Sequence, residues 1–167
     1  YEQKSRLSLL NKVYTSNDRK FRFCRDKIIT NKDYEEIMFD MMKNKKYNYK
    51  KVRNKLFMSI RNLKNLKSNK HLIGLHSNSH PVNIYKLSYK SQYLDYSKNF
   101  NFIKKKLKIS PKSMSHPFGR YNKDSLKVLK KLGIKIGFLS SPVKFIKSNL
   151  EIGRADHNSF IKKAVWK

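Results

Sequence analysis

A chain of 167 residues is the size of one domain, and 38% hydrophobic with 13% aromatic residues is enough to build a core. Its 40 Lys and Arg against 11 Asp and Glu give a formal net charge of +29, which either points to an anionic partner or reflects codon usage that also favours Asn, Ile and Tyr. No zinc-finger spacing, basic zipper or aromatic ribonucleoprotein motif accompanies that charge, no apolar run reaches the roughly 18 residues of a membrane helix, and one cysteine excludes a disulfide framework.

Residues 3–14 carry Leu7, Leu9, Leu10 and Val13 and read as a short helix. Asp33 and Glu36 have the spacing of a capping box, which opens a helix through Ile37, Met38, Met41 and Met42 to about Lys46, its methionines filling core. A third helix is predicted over 55–67, with Leu56, Ile60, Leu63 and Leu66 on one stripe. From residue 71 the texture changes to alternating strands and helices. A buried strand over 71–75 ends in a turn, and Ser88 caps a long helix to about Leu107 with Tyr93, Tyr96, Phe100, Ile103 and Leu107 inward. A strand at 113–115 follows. Asn122 then caps a helix with Leu126, Leu129 and Leu132 on its inner face, and Gly133 stands at the left-handed position beyond its end. Further strands are predicted at 134–139 and 150–152, and a closing helix over 156–167. Such an order implies an α/β fold with a mainly parallel sheet, whose site gathers at the carboxyl ends of the strands. The whole chain reads as a single domain, with a helical portion over 1–70 and a motif-bearing portion over 71–167.

His76-Ser77-Asn78-Ser79-His80 follows the apolar run Leu72-Ile73-Gly74-Leu75. Two imidazoles four residues apart can meet one divalent cation if the backbone turns between them, and Pro81 keeps a helix from running through the pair. Ser113-Met114-Ser115-His116-Pro117-Phe118-Gly119-Arg120-Tyr121-Asn122 reads as a rigid turn from strand to helix. Ile152-Gly153-Arg154-Ala155-Asp156-His157 ends the series.

With these three segments in this order, the chain resembles the polysaccharide deacetylase family, the NodB-homology group within carbohydrate esterase family 4, in its surface-polysaccharide-biosynthesis type. The resemblance implies a partial or distorted (β/α) barrel and metal-dependent removal of an acetyl group from an N-acetylated sugar. It places His76 and His80 as metal ligands, with zinc the expected ion, and Pro117 and Gly119, with His116, along the substrate groove. His157 becomes the general acid, with Arg154 and Asp156 orienting it. Family members also carry an Asp-Asp pair in their first strand. This sequence has none, and the acids before His76 are Glu2, Asp18, Asp26, Asp33, Glu35, Glu36 and Asp40.

Two readings of that absence stay open: a truncated deacetylase, or a degenerate homologue that binds glycan without acting on it. A basic nucleic-acid-binding protein is a third class, supported by charge alone. The expected partner is an N-acetylated glycan, anionic or lipid-linked. The expected location is cytoplasmic, since the start has no secretory pattern, although an opening on Tyr1 leaves room for a preceding native segment.

Overall fold

A computed structural model describes residues 14–155. The helix expected over 156–167 and that over 3–14, but for its last residue, lie outside the described residues. The chain divides into two compact units, Tyr1–Phe57 and Met58–Lys167.

The first unit is helical. Thr15 caps α1 (Ser16–Phe23), which runs into a wider turn at Cys24–Ile28. Helix α2 spans Asn31–Asn44 and α3 spans Tyr49–Leu56. The capping box of α2 is not Asp33 with Glu36. Thr30 is the cap: its hydroxyl accepts the Asp33 amide at 3.1 Å, and the Asp33 carboxylate reaches back to it, so the helix starts three residues earlier than the sequence suggested. Of the methionines expected in a core, Met41 is exposed, as are Ile37 and Phe39, and Met38 and Met42 are half-buried.

In the second unit, the helix predicted over 55–67 is interrupted ahead of Ser59, whose hydroxyl accepts the Asn62 amide and caps α4 (Ile60–Ser68). Helix α5 runs Tyr89–Leu107 from its Ser88 cap and ends on Lys108 in the left-handed region. Strand β1 (Ser113–Ser115) leads through a tight turn at Pro117–Gly119 to α6 (Lys123–Lys131), capped by Asn122, and then to β2 (Ile136–Phe138). Gly133, with φ +75°, ends α6 as predicted.

Strands β1 and β2 pair in parallel, Met114 opposite Gly137. Single parallel bridges extend the sheet on both sides, Leu75 to Met114 and Phe138 to Ile152. Four chain segments therefore lie side by side in sequence order, with α5 and α6 as crossovers, and the sheet is small and unclosed. The strand predicted over 71–75 is reduced to Leu75, whose N–H and C=O bond Ser113 and Ser115. Leu72 is 92% exposed, Ile73 is half-buried against the core, and only Leu75 of that segment is fully buried. The segments at 134–139 and 150–152 likewise shrink, to β2 and a bridge at Ile152.

The core lies between the sheet and the two crossover helices: Leu75, Ile84, Tyr96, Ile103, Leu107, Met114, Val128 and Leu129, among others. The stripes predicted on α5 and α6 supply Tyr96, Ile103, Leu107 and Leu129, and their Tyr93, Phe100, Leu126 and Leu132 pack against it half-buried. Tyr96 is fully buried and its hydroxyl has no hydrogen-bond partner among the described residues. Burial, with the Asp95 charge next door, pushes that phenol well above its ordinary range. A buried unpaired hydroxyl costs about 1–3 kcal/mol of desolvation. Tyr96→Phe, which keeps the ring, is expected to raise stability by about 1 kcal/mol in urea unfolding. A loss of stability instead would mean that the hydroxyl has a partner in solution. No described helix is long and apolar enough to cross a membrane.

Candidate metal centre

The strand ends at Leu75, Ser115, Phe138 and Ile152 place His76, His116 and Arg154 at the carboxyl edge of the sheet. Beyond Leu75 the chain turns sharply. Ser77 has φ +66° and His80 φ +50°, left-handed values that cost a non-glycine residue about 1–2 kcal/mol each. Hydrogen bonds hold the turn. The His80 N–H donates to Ser77 Oγ at 2.9 Å and the His76 N–H donates to Asn99 Oδ1 at 3.1 Å. The Asp95 carboxylate on α5 accepts the Asn78 N–H at 3.0 Å, the Ser79 N–H at 3.0 Å and the Ser79 hydroxyl at 2.6 Å. Burial pushes the Asp95 carboxyl up, but its hydrogen bonds from Ser79, Ser77 and the two amides outweigh that and hold it below its ordinary value.

The result is a close pair of imidazoles. His76 and His80 lie with ring centroids 4.7 Å apart and their Nε2 atoms 3.0 Å apart. His76 Nδ1 is 2.8 Å from the Ser115 carbonyl oxygen, which can only accept, so Nδ1 carries the proton and Nε2 offers its lone pair. In the metal-free pair His80 Nε2–H donates to it. Shifting the His80 proton to Nδ1 turns both Nε2 lone pairs toward one point. Burial, then the neighbouring His76, lowers the pKa of His80 and favours the neutral ring a metal needs.

The second motif adjoins the first through Phe118, whose ring centroid is 4.8 Å from that of His80. Arg120 donates to the Val82 carbonyl at 3.0 Å and to Asn83 Oδ1 at 2.8 Å, tying this turn to the chain after Pro81. Pro117 is buried, Gly119 (φ +66°) is half-buried, and Phe118 is the exposed residue of the turn. An open cleft of about 510 Å3 runs beside His76, lined also by Leu72, Ser115, Phe138 and Arg154 among others. Arg154 Nη1 makes a long 3.4 Å bond to Ser115 Oγ. Asp156 and His157 lie outside the described residues.

His116 sits apart from that cleft, 2% exposed. Its Nε2–H donates to the Leu150 carbonyl at 2.8 Å and its N–H to the Phe138 carbonyl at 2.8 Å, so it clamps the end of β1 across β2 to the next segment. Beside it Glu151 accepts from Tyr121 at 2.7 Å and Ser148 at 2.6 Å. Burial and that bond push the Tyr121 phenol up to about 12. Burial lowers the His116 pKa more than the Leu150 bond and the Glu151 charge raise it. A ring kept neutral in the fold binds its proton later than the unfolded chain does. Stability therefore falls as pH drops below about 6.5, where the unfolded histidine begins to charge. His116→Asn is expected to flatten the decline between pH 6.5 and 5 in denaturation midpoints, and an unchanged slope would assign the decline to other groups.

Asp95, Asn99, Phe118 and Arg120 were not singled out from the sequence. Asp95 did carry a signal, as the sole acidic residue between Asp40 and Asp124.

Sheet order and helical crossovers define part of a (β/α) barrel, with a histidine pair at the strand ends. Residues 50–137 match the family model described as polysaccharide deacetylase, and the chain belongs to that family. No curated protein sequence matches it. Among solved structures it is similar to the deacetylase PplD of Streptococcus pyogenes in complex with acetate, at 18% identity and a TM-score of 0.56, covering 64% of this chain and 47% of that one. IcaB from Ammonifex degensii is similar at 18% and 0.56, with 66% and 53% covered. A de-N-acetylase from Aggregatibacter actinomycetemcomitans is similar at 17% and 0.52, with 65% and 53% covered. These likenesses show the deacetylase barrel fold, and the chain spans about half the length of those structures.

Deacetylases of this family are generally metal-dependent. Two nitrogens about 2.0–2.1 Å from a tetrahedral ion stand about 3.3 Å apart, so the His76–His80 pair fits two positions of such an ion after a shift of a few tenths of an ångström. No group of three His, Cys, Asp or Glu side chains suited to a metal occurs among the described residues.

Proposed function

We propose that this chain is the histidine-bearing part of a polysaccharide deacetylase that hydrolyses N-acetyl groups on a glycan. The single observation that carries the reading is the convergence of His76 Nε2 and His80 Nε2 at the carboxyl end of the sheet. His76 and His80 hold a divalent ion, zinc being the best match to two imidazoles. When bound, such an ion supplies Lewis acidity and a bound water of lowered pKa. The Ser115 carbonyl fixes the tautomer of His76, and the open cleft beside it gives a sugar chain access to the pair. The turn at Pro117–Gly119, anchored by buried His116, holds Phe118 against His80 as an apolar wall for the substrate. His157 is the candidate to protonate the departing amine, with Asp156 and Arg154 orienting it. The amide C–N bond breaks, water supplies the new C–O bond, and acetate and a free amine leave. Acetate is also the molecule found with the similar S. pyogenes deacetylase.

The basic surface favours an anionic or lipid-linked glycan, whose affinity then falls as salt rises. A second reading, a glycan-binding relative without catalysis, is favoured by the lack of a third protein ligand among the described residues. Acetate release from N-acetylglucosamine oligomers, measured with added Zn2+ and after chelation, separates the two. Metal-dependent release supports the enzyme. Glycan binding without release supports the binder, and neither activity sinks both.

A further inference from the structure

We infer that Asp95 is the positioning residue of the histidine pair: a carboxylate on α5 that sets the His76–His80 turn and, through it, the metal affinity, without touching the ion. The inference deepens the proposed metal site and rests on that reading. The turn is costly in itself, since Ser77 and His80 both take left-handed backbone angles and neither is glycine. Something outside the turn must hold it, and Asp95 is placed to do so. Both of its oxygens are engaged, Oδ2 by the Asn78 amide and Oδ1 by the amide and hydroxyl of Ser79. Two successive N–H groups aimed at one carboxylate fix the peptide planes between the histidines, and charge-assisted bonds of this kind are about twice as strong as neutral ones.

The support comes from a rigid element. Helix α5 buries Gln92, Tyr96 and Ile103 in the core, so Asp95 has a fixed base. One turn further along, Asn99 accepts the His76 N–H at 3.1 Å, which makes the turn's second tether to the same helix. Asp95 is also the sole acid between Asp40 and Asp124 in a chain of net charge +29, so its side chain has no other carboxylate nearby in sequence to replace it. An unsupported pair of imidazoles on a mobile turn would pay the ordering entropy on binding; Asp95 makes that cost part of folding.

The test compares Asp95→Asn and Asp95→Ala with Ser125→Ala, which removes a buried hydroxyl bonded to Gln92 at 2.6 Å but makes no bond to the turn. Zn2+ affinity is read by isothermal titration. Amide exchange at Asn78 and Ser79, and cross-relaxation between the His76 and His80 rings, are read by NMR on the metal-free protein. Asp95→Ala is expected to weaken Zn2+ by about 10–100-fold, to accelerate exchange at both amides and to remove the ring contact. Asp95→Asn, which keeps one acceptor oxygen, is expected to fall between, and Ser125→Ala to match the parent in affinity and ring contact. Zn2+ affinity within about twofold of the parent in Asp95→Ala, or amides that exchange at the parental rate, overturns the inference. If the parent itself binds no Zn2+, the metal reading fails, and the metal-free NMR comparison still decides whether Asp95 sets the turn.

Discussion

Replacing either His76 or His80 by alanine is expected to lower Zn2+ affinity by more than 100-fold, beyond what loss of a supporting contact costs. The reason is geometric. The two Nε2 atoms are 3.0 Å apart and share one target point, so neither ring alone offers a chelate. The fold should be indifferent to the change, because both side chains are exposed and neither belongs to the core. Circular dichroism and urea midpoints close to the parental ones, alongside lost binding, are the expected pattern. The pH dependence follows from the lowered pKa of His80, caused first by partial desolvation of its ring and then by His76. Protons compete with the ion once a ring charges, so affinity is expected to fall as pH drops below about 6.5, the ordinary histidine value. Titrations at pH 7.5, 6.5 and 5.5 read this directly. An affinity unaffected by either alanine would place the metal elsewhere and remove the basis of the deacetylase reading.

Gly137→Ala is expected to be the most damaging single methyl that can be added to the sheet. Gly137 is buried in the middle of β2, donates its N–H to the Asn149 carbonyl at 2.8 Å and accepts from the Ile152 N–H at 2.9 Å. A Cβ there would lie 2.5 Å from the Leu150 oxygen and 2.9 Å from its Cα, all backbone atoms that cannot rotate away. The 149–152 segment must move outward, and the His116 bond to the Leu150 carbonyl goes with it. Overpacking of this kind costs about 1–3 kcal/mol and the clamp adds about 1 kcal/mol, a large part of a small domain's stability. Urea unfolding should show a loss of about 3 kcal/mol. A loss below about 1 kcal/mol would mean that β2 and the 149–152 segment are not so closely apposed in solution.

The sequence made some of this legible and hid the rest for physical reasons. Ser88 and Asn122 announced α5 and α6 because each is a side-chain cap followed by an apolar stripe, signals that need no tertiary context. The histidine turn was readable because Pro81 forbids a helix there. In the first unit two caps compete: Thr30 and Asp33 both suit the position, and only the reciprocal bonds decide between them. The 55–67 stripe was continuous in sequence, yet Ser59 supplies a new cap inside it and splits the run. Asp95 escaped notice because its role depends on α5 lying against the 76–80 turn, a contact between segments that no local spacing encodes. His116 was legible as a special turn residue, but its bond to Leu150 crosses a strand that sequence alone cannot place between them.

The four sheet segments pair strictly in chain order, Leu75 with Met114, Met114 with Gly137 and Phe138 with Ile152, and the intervening stretch shortens each time. Closing the last of these loops costs about 0.9 kcal/mol less chain entropy than closing the first. The carboxyl-terminal half of the sheet is thus the natural seed of assembly, and the segment that carries the imidazoles docks onto a surface already made. If that order reverses under mild denaturant, chelating power is expected to be lost ahead of the helical signal of the barrel arc.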